Sequence, residues 1–365
     1  MVKHSSVTPY YYHVQTEFER FWSARHVQTR RILFIFGLGF DPRCVPAFRL
    51  AARVLSNAER LNTVCLRFKN PLDDNLAENT EGTHDSLKDI DQISWGLNAA
   101  KYHHDHLEVN LFDSKGTYDG HKKLVSDFTA EFGNTLRDYT DVVIDISAFP
   151  RSLMYALLTR VQEQLTPMQN LFAVLSEVPV PVDIREQGYS DPHYIIPPGS
   201  RGDGDGGREP MIWIPILGGS TERLHNIYTY LSPKEVFPIV PFPTQDPRTG
   251  DHIVLRSRKL FDDWHVPFSN IMYACGDVPF DIYRKIHDIV ERYRSFMSTD
   301  RMVVSALSGR SLSLGVLLAA WLHNLPVCQI QPKTYKLISP SRDDLKRATA
   351  RANVTLYWLS GEIYQ

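Results

Sequence analysis

Cysteine is scarce in this chain. Cys44, Cys65, Cys275 and Cys328 stand far apart among 365 residues, and no C-x-x-C pair occurs. That spacing excludes a zinc ribbon and a disulfide scaffold, and it predicts reduced thiols. Long apolar runs are missing as well. The longest, Leu312–Leu322, is too short and too interrupted to span a bilayer. The N-terminal stretch MVKHSSVTPYYYHVQTEF has no apolar centre of the kind a signal peptide needs. The expectation is a cytoplasmic protein with no membrane partner. Charge of one sign is not in surplus: 40 Lys and Arg against 42 Asp and Glu leave a net −2. The totals therefore predict neither a nucleic-acid nor an anionic-membrane binder, and direct DNA binding is not expected. No Walker A loop and no G-x-S-x-G elbow occur, and no dinucleotide fingerprint stands in its strand-to-helix setting. No motif implies a cofactor.

What the chain does have is alternation. Apolar runs at 31–36, 63–68, 106–112, 141–146 and 171–176 predict five buried strands, with helices at about 44–55, 86–101, 119–136 and 152–163. The order restarts after residue 210. Strands are predicted at 211–214, 236–240, 270–274, 302–304 and 326–330, with helices at about 221–231, 257–264 and 280–296 and another beginning near Arg310. Residues 188–210 hold six Gly and four Pro without periodicity and predict a linker. The predicted organisation is a half over 1–187 with an N-terminal strap, a linker over 188–210, and a half over 211–365 closing in a small hairpin or strap. Strand–helix alternation at this spacing means right-handed crossovers and mostly parallel sheets. The predicted fold class is α/β, two fused Rossmann-like halves related by an approximate twofold axis.

The halves share details at two turns. After the first strand, Gly39-Phe40-Asp41-Pro42-Arg43 matches Gly219-Ser220-Thr221-Glu222-Arg223. After the fourth, Pro150-Arg151-Ser152-Leu153 matches Gly309-Arg310-Ser311-Leu312, with a small residue, Ala156 or Gly315, one and a half turns later. Such turns lie at the carboxyl edge, where open α/β sheets bind ligands and where free helix amides favour anions. A cation at a helix start costs roughly 0.3–1 kcal/mol. Four of them require compensation, either from an anionic ligand with several phosphates or from internal carboxylates such as Asp41, Asp145 or Glu222.

Other groups carry weaker chemistry. If His103-His104-Asp105-His106 were strand, His104 and His106 would share one face as zinc ligands can, but a polar turn is the expected reading. Asp113, Asp119 and His121 follow the third strand, and Asp277 and Asp281 follow its counterpart. They are possible acid–base groups, with helix capping the simpler role for Asp119 and Asp281. Trp95, Trp213 and Trp264 have apolar neighbours and are expected in the core.

The run from Ser305 to Gly315, SALSGRSLSLG, resembles the strand-4-to-helix signature of CARF domains, the Rossmann-like sensors of CRISPR-associated proteins. Ile212–Leu231 resembles the first strand and helix of that fold. Two such units in one chain are similar to the SAVED domains of bacterial cyclic-oligonucleotide anti-phage systems, over about 31–180 and 211–332. The resemblance implies a pocket between the halves for a nucleotide or other phosphorylated second messenger, and an effector or complex-partner protein. Its site residues would be Gly39, Arg43, Ser147, Arg151, Gly219, Ser220, Arg223, Ser308, Gly309 and Arg310. Phe149-Pro150 stands where the family prefers Gly, which predicts a degenerate first-half site. A nucleotide-processing enzyme using the same residues, such as a ring nuclease, and a scaffold subunit of a defence complex remain alternatives.

Overall fold

The computed structural model describes residues 11–39, 41–72, 76–94, 97, 102–180, 182–196, 211–244 and 246–364. These form two compact units, one made of 1–190 with 332–365 and the other of 191–331.

In the first unit, β1 (Tyr11–His13) and α1 (Gln15–Ala24) precede β2 (Arg31–Leu38) and α2 (Cys44–Leu55). Then come β3 (Arg60–Lys69), α3 (Leu76–Ser94), β4 (Tyr102–Asn110) and α4 (Gly120–Phe132). The order continues with β5 (Asp141–Asp145), α5 (Arg151–Gln164), β6 (Asn170–Glu177) and β7 (Asp183–Tyr189). The five strands β2 to β6 run parallel in the order β6-β5-β2-β3-β4. Crossovers to both sides of β2 place helices on both faces, and α2 packs with α3 as α4 packs with α5. Covered on both faces, β2 reads as a nearly continuous apolar run rather than an alternating one, and every residue of β5 is buried.

The second unit holds β8 (His193–Ile196), β9 (Ile212–Ile216), α6 (Thr221–Leu231), β10 (Glu235–Val236), β11 (Ile239–Pro241) and α7 (Thr249–Asp263). It continues through β12 (Met272–Ala274), α8 (Pro279–Tyr293), β13 (Met302–Ala306), α9 (Arg310–His323) and β14 (Val327–Gln329). Its strand order is β12-β11-β9-β13-β14-β8, with only β8 antiparallel on this path. Numbered from the first parallel strand of each unit, both sheets read 3-2-1-4-5. The fold is Rossmann-like α/β.

The chain then returns to the first unit through β15 (Pro332–Ser339), α10 (Arg342–Thr349) and β16 (Asn353–Ser360). β15 pairs with β7, placing Pro332 opposite Tyr189. β16 pairs antiparallel with β6 and takes β1 on its outer side. This corrects the expected boundaries. The C-terminal segment is no hairpin of the second half but an edge of the first sheet, and the second unit is an insertion between neighbouring strand ends. The expected linker is corrected in part: 188–189 end β7 and 193–196 are β8. Residues 197–210 lie outside the described residues.

The N-terminal strap docks through an ion pair under aromatic cover. Arg25 lies 4.5 Å from the Trp358 ring centroid and donates to Asp141 at 2.9 Å. Asp141 is fully buried and also accepts from Asn170 at 3.0 Å and from Thr140 at 2.6 Å. Phe21, Trp22, Phe172 and Trp358 surround the Arg25 guanidinium and meet one another edge-on or tilted. Among the described residues no helix is long and apolar enough to cross a membrane, and all four cysteines are free.

Candidate functional site at the carboxyl edge of the second unit

β9 and β13 are paired in phase, Met302 with Ile212 through Ala306 with Ile216, so they end at one level. At that level the sheet divides. Ile216 O accepts from Leu307 N at 2.9 Å, while Leu217 N turns away to Ile239 O at 2.9 Å. Right-handed crossovers send α6 and α9 to opposite faces, and this is the switch point where open α/β sheets bind ligands. The helices pair accordingly, α6 with α7 and α8 with α9.

The two turns touch backbone to backbone. A Cβ on Gly218 would overlap the Leu307 carbonyl oxygen, far inside van der Waals contact, and lie 3.3 Å from Ser308 N. Only glycine permits that approach. The next residues face space: a Cβ on Gly219 would meet only Arg256 Nη1 at 3.9 Å, and one on Gly309 only Ser311 Oγ at 3.9 Å. Both glycines are exposed, and Ser308 and Arg310 are half-buried. α9 begins at Arg310 with no side-chain cap and no acidic residue in its first turn. Its first amides therefore keep the partial positive charge that anions seek. Arg310 adds a planar guanidinium fork.

The remaining expected residues of this edge serve the fold. Ser220 caps α6, its Oγ accepting from Arg223 N at 3.3 Å. Arg223 is 3% exposed, so its guanidinium is enclosed and not open at the edge. Arg256, on the second turn of α7, was not foreseen. No sequence spacing marks it, because α7 follows a neighbouring strand.

The matching edge of the first unit is occupied by its own side chains. Arg43 clasps Asp41, with Nε 2.9 Å from Oδ1 and Nη2 2.5 Å from Oδ2. Burial works against the Arg43 charge, but Asp41, with Glu177 further off, raises its pKa on balance. Arg151 lies 3.8 Å from Glu186 on β7. Ser147 is fully buried; its Oγ donates to Asp145 at 2.5 Å and accepts from Ser176 N at 2.7 Å. Phe149 packs edge-on against Phe68, centroids 5.2 Å apart, above Gly37. Gly39 has nothing within 4 Å of where its Cβ would be. Internal carboxylates thus compensate Arg43 and Arg151.

The other sequence candidates fall elsewhere. The His103–His106 run is corrected from a turn to strand, within β4. His104 and His106 do share a face, their rings 4.4 Å apart. His104 Nδ1 is 2.5 Å from Thr63 Oγ1, and burial, His106 and Arg67 lower its pKa to about 4. Asp113 shapes a turn by accepting from Lys115 N and Thr117 N, both at 2.8 Å. His121 is buried and stacked on Tyr118. The expected caps are corrected too: Asp119 makes no cap bond, and Asp281 accepts from Cys275 N at 2.7 Å. Trp213 is fully buried, Trp264 stacks on Tyr228 at 3.9 Å, and Trp95 lies outside the described residues.

No family model matches the chain, and no curated protein matches it. Solved structures similar to it include a candidate methyltransferase from Pseudomonas syringae, at 11% identity and TM-score 0.23, covering 45% of this chain and 76% of that one. A candidate sarcosine dimethylglycine methyltransferase from Galdieria sulphuraria has 9% identity and TM-score 0.24, covering 95% and 86%. A functionally unknown protein from Pseudomonas aeruginosa has 10% identity and TM-score 0.23, covering 90% and 99%. Likeness at this level carries no argument about activity, and the fold class rests on strand order.

Proposed function

We propose that the second unit binds a phosphorylated ligand, most specifically a nucleotide, where β9 and β13 end. The observation that carries this reading is the contact of Gly218 with the Leu307–Ser308 backbone. It joins two glycine-bearing turns at the switch point and sets the uncapped start of α9, with Arg310, beside Gly219. Phosphate oxygens suit this donor set: backbone amides, a helix N-terminus and a guanidinium fork. The resemblance to CARF and SAVED sensors extends the proposal to a cyclic oligonucleotide second messenger of anti-phage defence. In that role, differential affinity for two states of the chain would signal to a partner protein.

Titration calorimetry of the full chain with mono-, di- and cyclic oligonucleotides tests the reading. Saturable binding of at least one phosphorylated member supports it. Heats no larger than dilution across the panel, at high micromolar ligand, overturn it. Chromatography of the recovered ligand separates a sensor from an enzyme: an intact ligand excludes turnover.

A further inference from the structure

A second constellation lies at the opposite end of the same unit. α8 and α9 each follow a parallel strand and run back toward the amino edge of the sheet, side by side in the same direction. Gly315 lets them meet: a Cβ there would overlap the Pro279 carbonyl oxygen and lie 3.0 Å from Ile282 Cβ. Eight residues further along each helix, about 12 Å at 1.5 Å per residue, stand His287 on α8 and His323 at the end of α9. Equal steps from one close contact keep the helices in register, so the two imidazoles meet, their planes tilted by 32°, with His287 Nδ1 3.0 Å from His323 Nε2. Glu291, one turn beyond His287, completes the group, and one ligand atom from each of the three residues lies within 4.8 Å of the other two.

We propose that His287, Glu291 and His323 bind one divalent transition-metal ion of the imidazole-preferring kind, such as Zn²⁺. Two imidazole nitrogens on a tetrahedral ion, at 2.0–2.1 Å each, stand about 3.3 Å apart, close to the separation already present. Two His and one carboxylate are a donor set that suits zinc and its neighbours and not Mg²⁺ or Ca²⁺, which prefer oxygen. All three residues are half-buried, which leaves a path for the ion. Two interactions compete. The imidazoles form a hydrogen bond to each other in the metal-free state, and Arg294, itself 63% exposed, holds Glu291 Oε1 at 3.0 Å. An exposed ion pair of this sort is worth only about 0–1 kcal/mol, so it is a weak rival to a metal bond. The ion would clamp the amino-edge ends of α8 and α9, the two helices that cover one face of this sheet. The site is independent of the nucleotide reading.

The test is calorimetric titration of the chelator-treated full chain with Zn²⁺, with melting followed in parallel. One saturable site and a raised melting temperature are expected. His287→Gln and His323→Gln should each weaken binding about tenfold or more, and Glu291→Gln should weaken it too. The double variant His104→Gln/His106→Gln should bind like the wild type. Absence of saturable binding overturns the proposal. So does equal binding by wild type and His323→Gln, or loss of binding only in the His104/His106 variant. Should His323→Gln melt early without metal, Arg294→Ala gives a second reading: freeing Glu291 should leave zinc binding equal or tighter, and loss of binding there overturns the site.

Discussion

Single residues separate the two edges of this protein. Arg151 and Arg310 occupy matching places in the sequence; Arg151 lies 3.8 Å from Glu186, while no acidic residue stands in the first turn of α9. The glycines differ in the same way. Gly218 is enforced by the Leu307 carbonyl, whereas Gly309, at φ −61°, has room for a methyl group. Gly218→Ala should therefore cost about 1–3 kcal/mol as overpacking, and Gly309→Ala should stay within about 0.5 kcal/mol; urea unfolding of both variants checks the contrast. His104 makes a prediction in pH. Its folded pKa, about 4, lies below the ordinary histidine value, so between the two the unfolded chain binds more protons. Its contribution to stability is complete above about pH 6.5 and is lost as pH falls toward 4. Replacing His104 with Gln should flatten the acid limb of a stability-versus-pH curve.

At the scale of elements, periodicity revealed most helices and the buried parallel strands, because both are written locally as apolar spacing. α2 and α6 end where their patterns end, and α9 begins at Arg310. Elements defined by partners were harder. β4 starts earlier than its apolar run suggests, because its histidines look like a turn until β3 pairs with them. β16 reads as a hairpin strand, and nothing in its own residues says that it must lie beside β6. The strap is held in the same non-local way, through the buried Asp141. Removing one partner of a buried pair leaves the other uncompensated, so Asp141→Ala should cost about 3–5 kcal/mol and loosen α1, readable by hydrogen exchange over residues 15–24. The convergence of His287, Glu291 and His323 was also invisible, since it depends on the register of two helices whose close contact is set by Gly315.

For the whole molecule, the sequence announced two α/β units but misplaced their division. The chain leaves the first unit after β7 and re-enters at β15 directly opposite, an arrangement that makes insertion topologically inexpensive. Pairing between residues so distant in sequence leaves no local signature. Both units have the 3-2-1-4-5 strand order, and their edges differ. The first is filled by Asp41, Glu186, Phe149 and Ser147, while the second keeps exposed glycines around an uncapped helix. The proposal for this second edge is phosphate binding through Arg310. Calorimetry of wild type and Arg310→Ala, against the tightest-binding member of a cyclic oligonucleotide panel, tests it most directly. Saturable wild-type binding is expected, weakened in the variant by about 1.5–3 kcal/mol, roughly tenfold to a hundredfold, with the melting temperature unchanged. Equal affinity in the two proteins would contradict it.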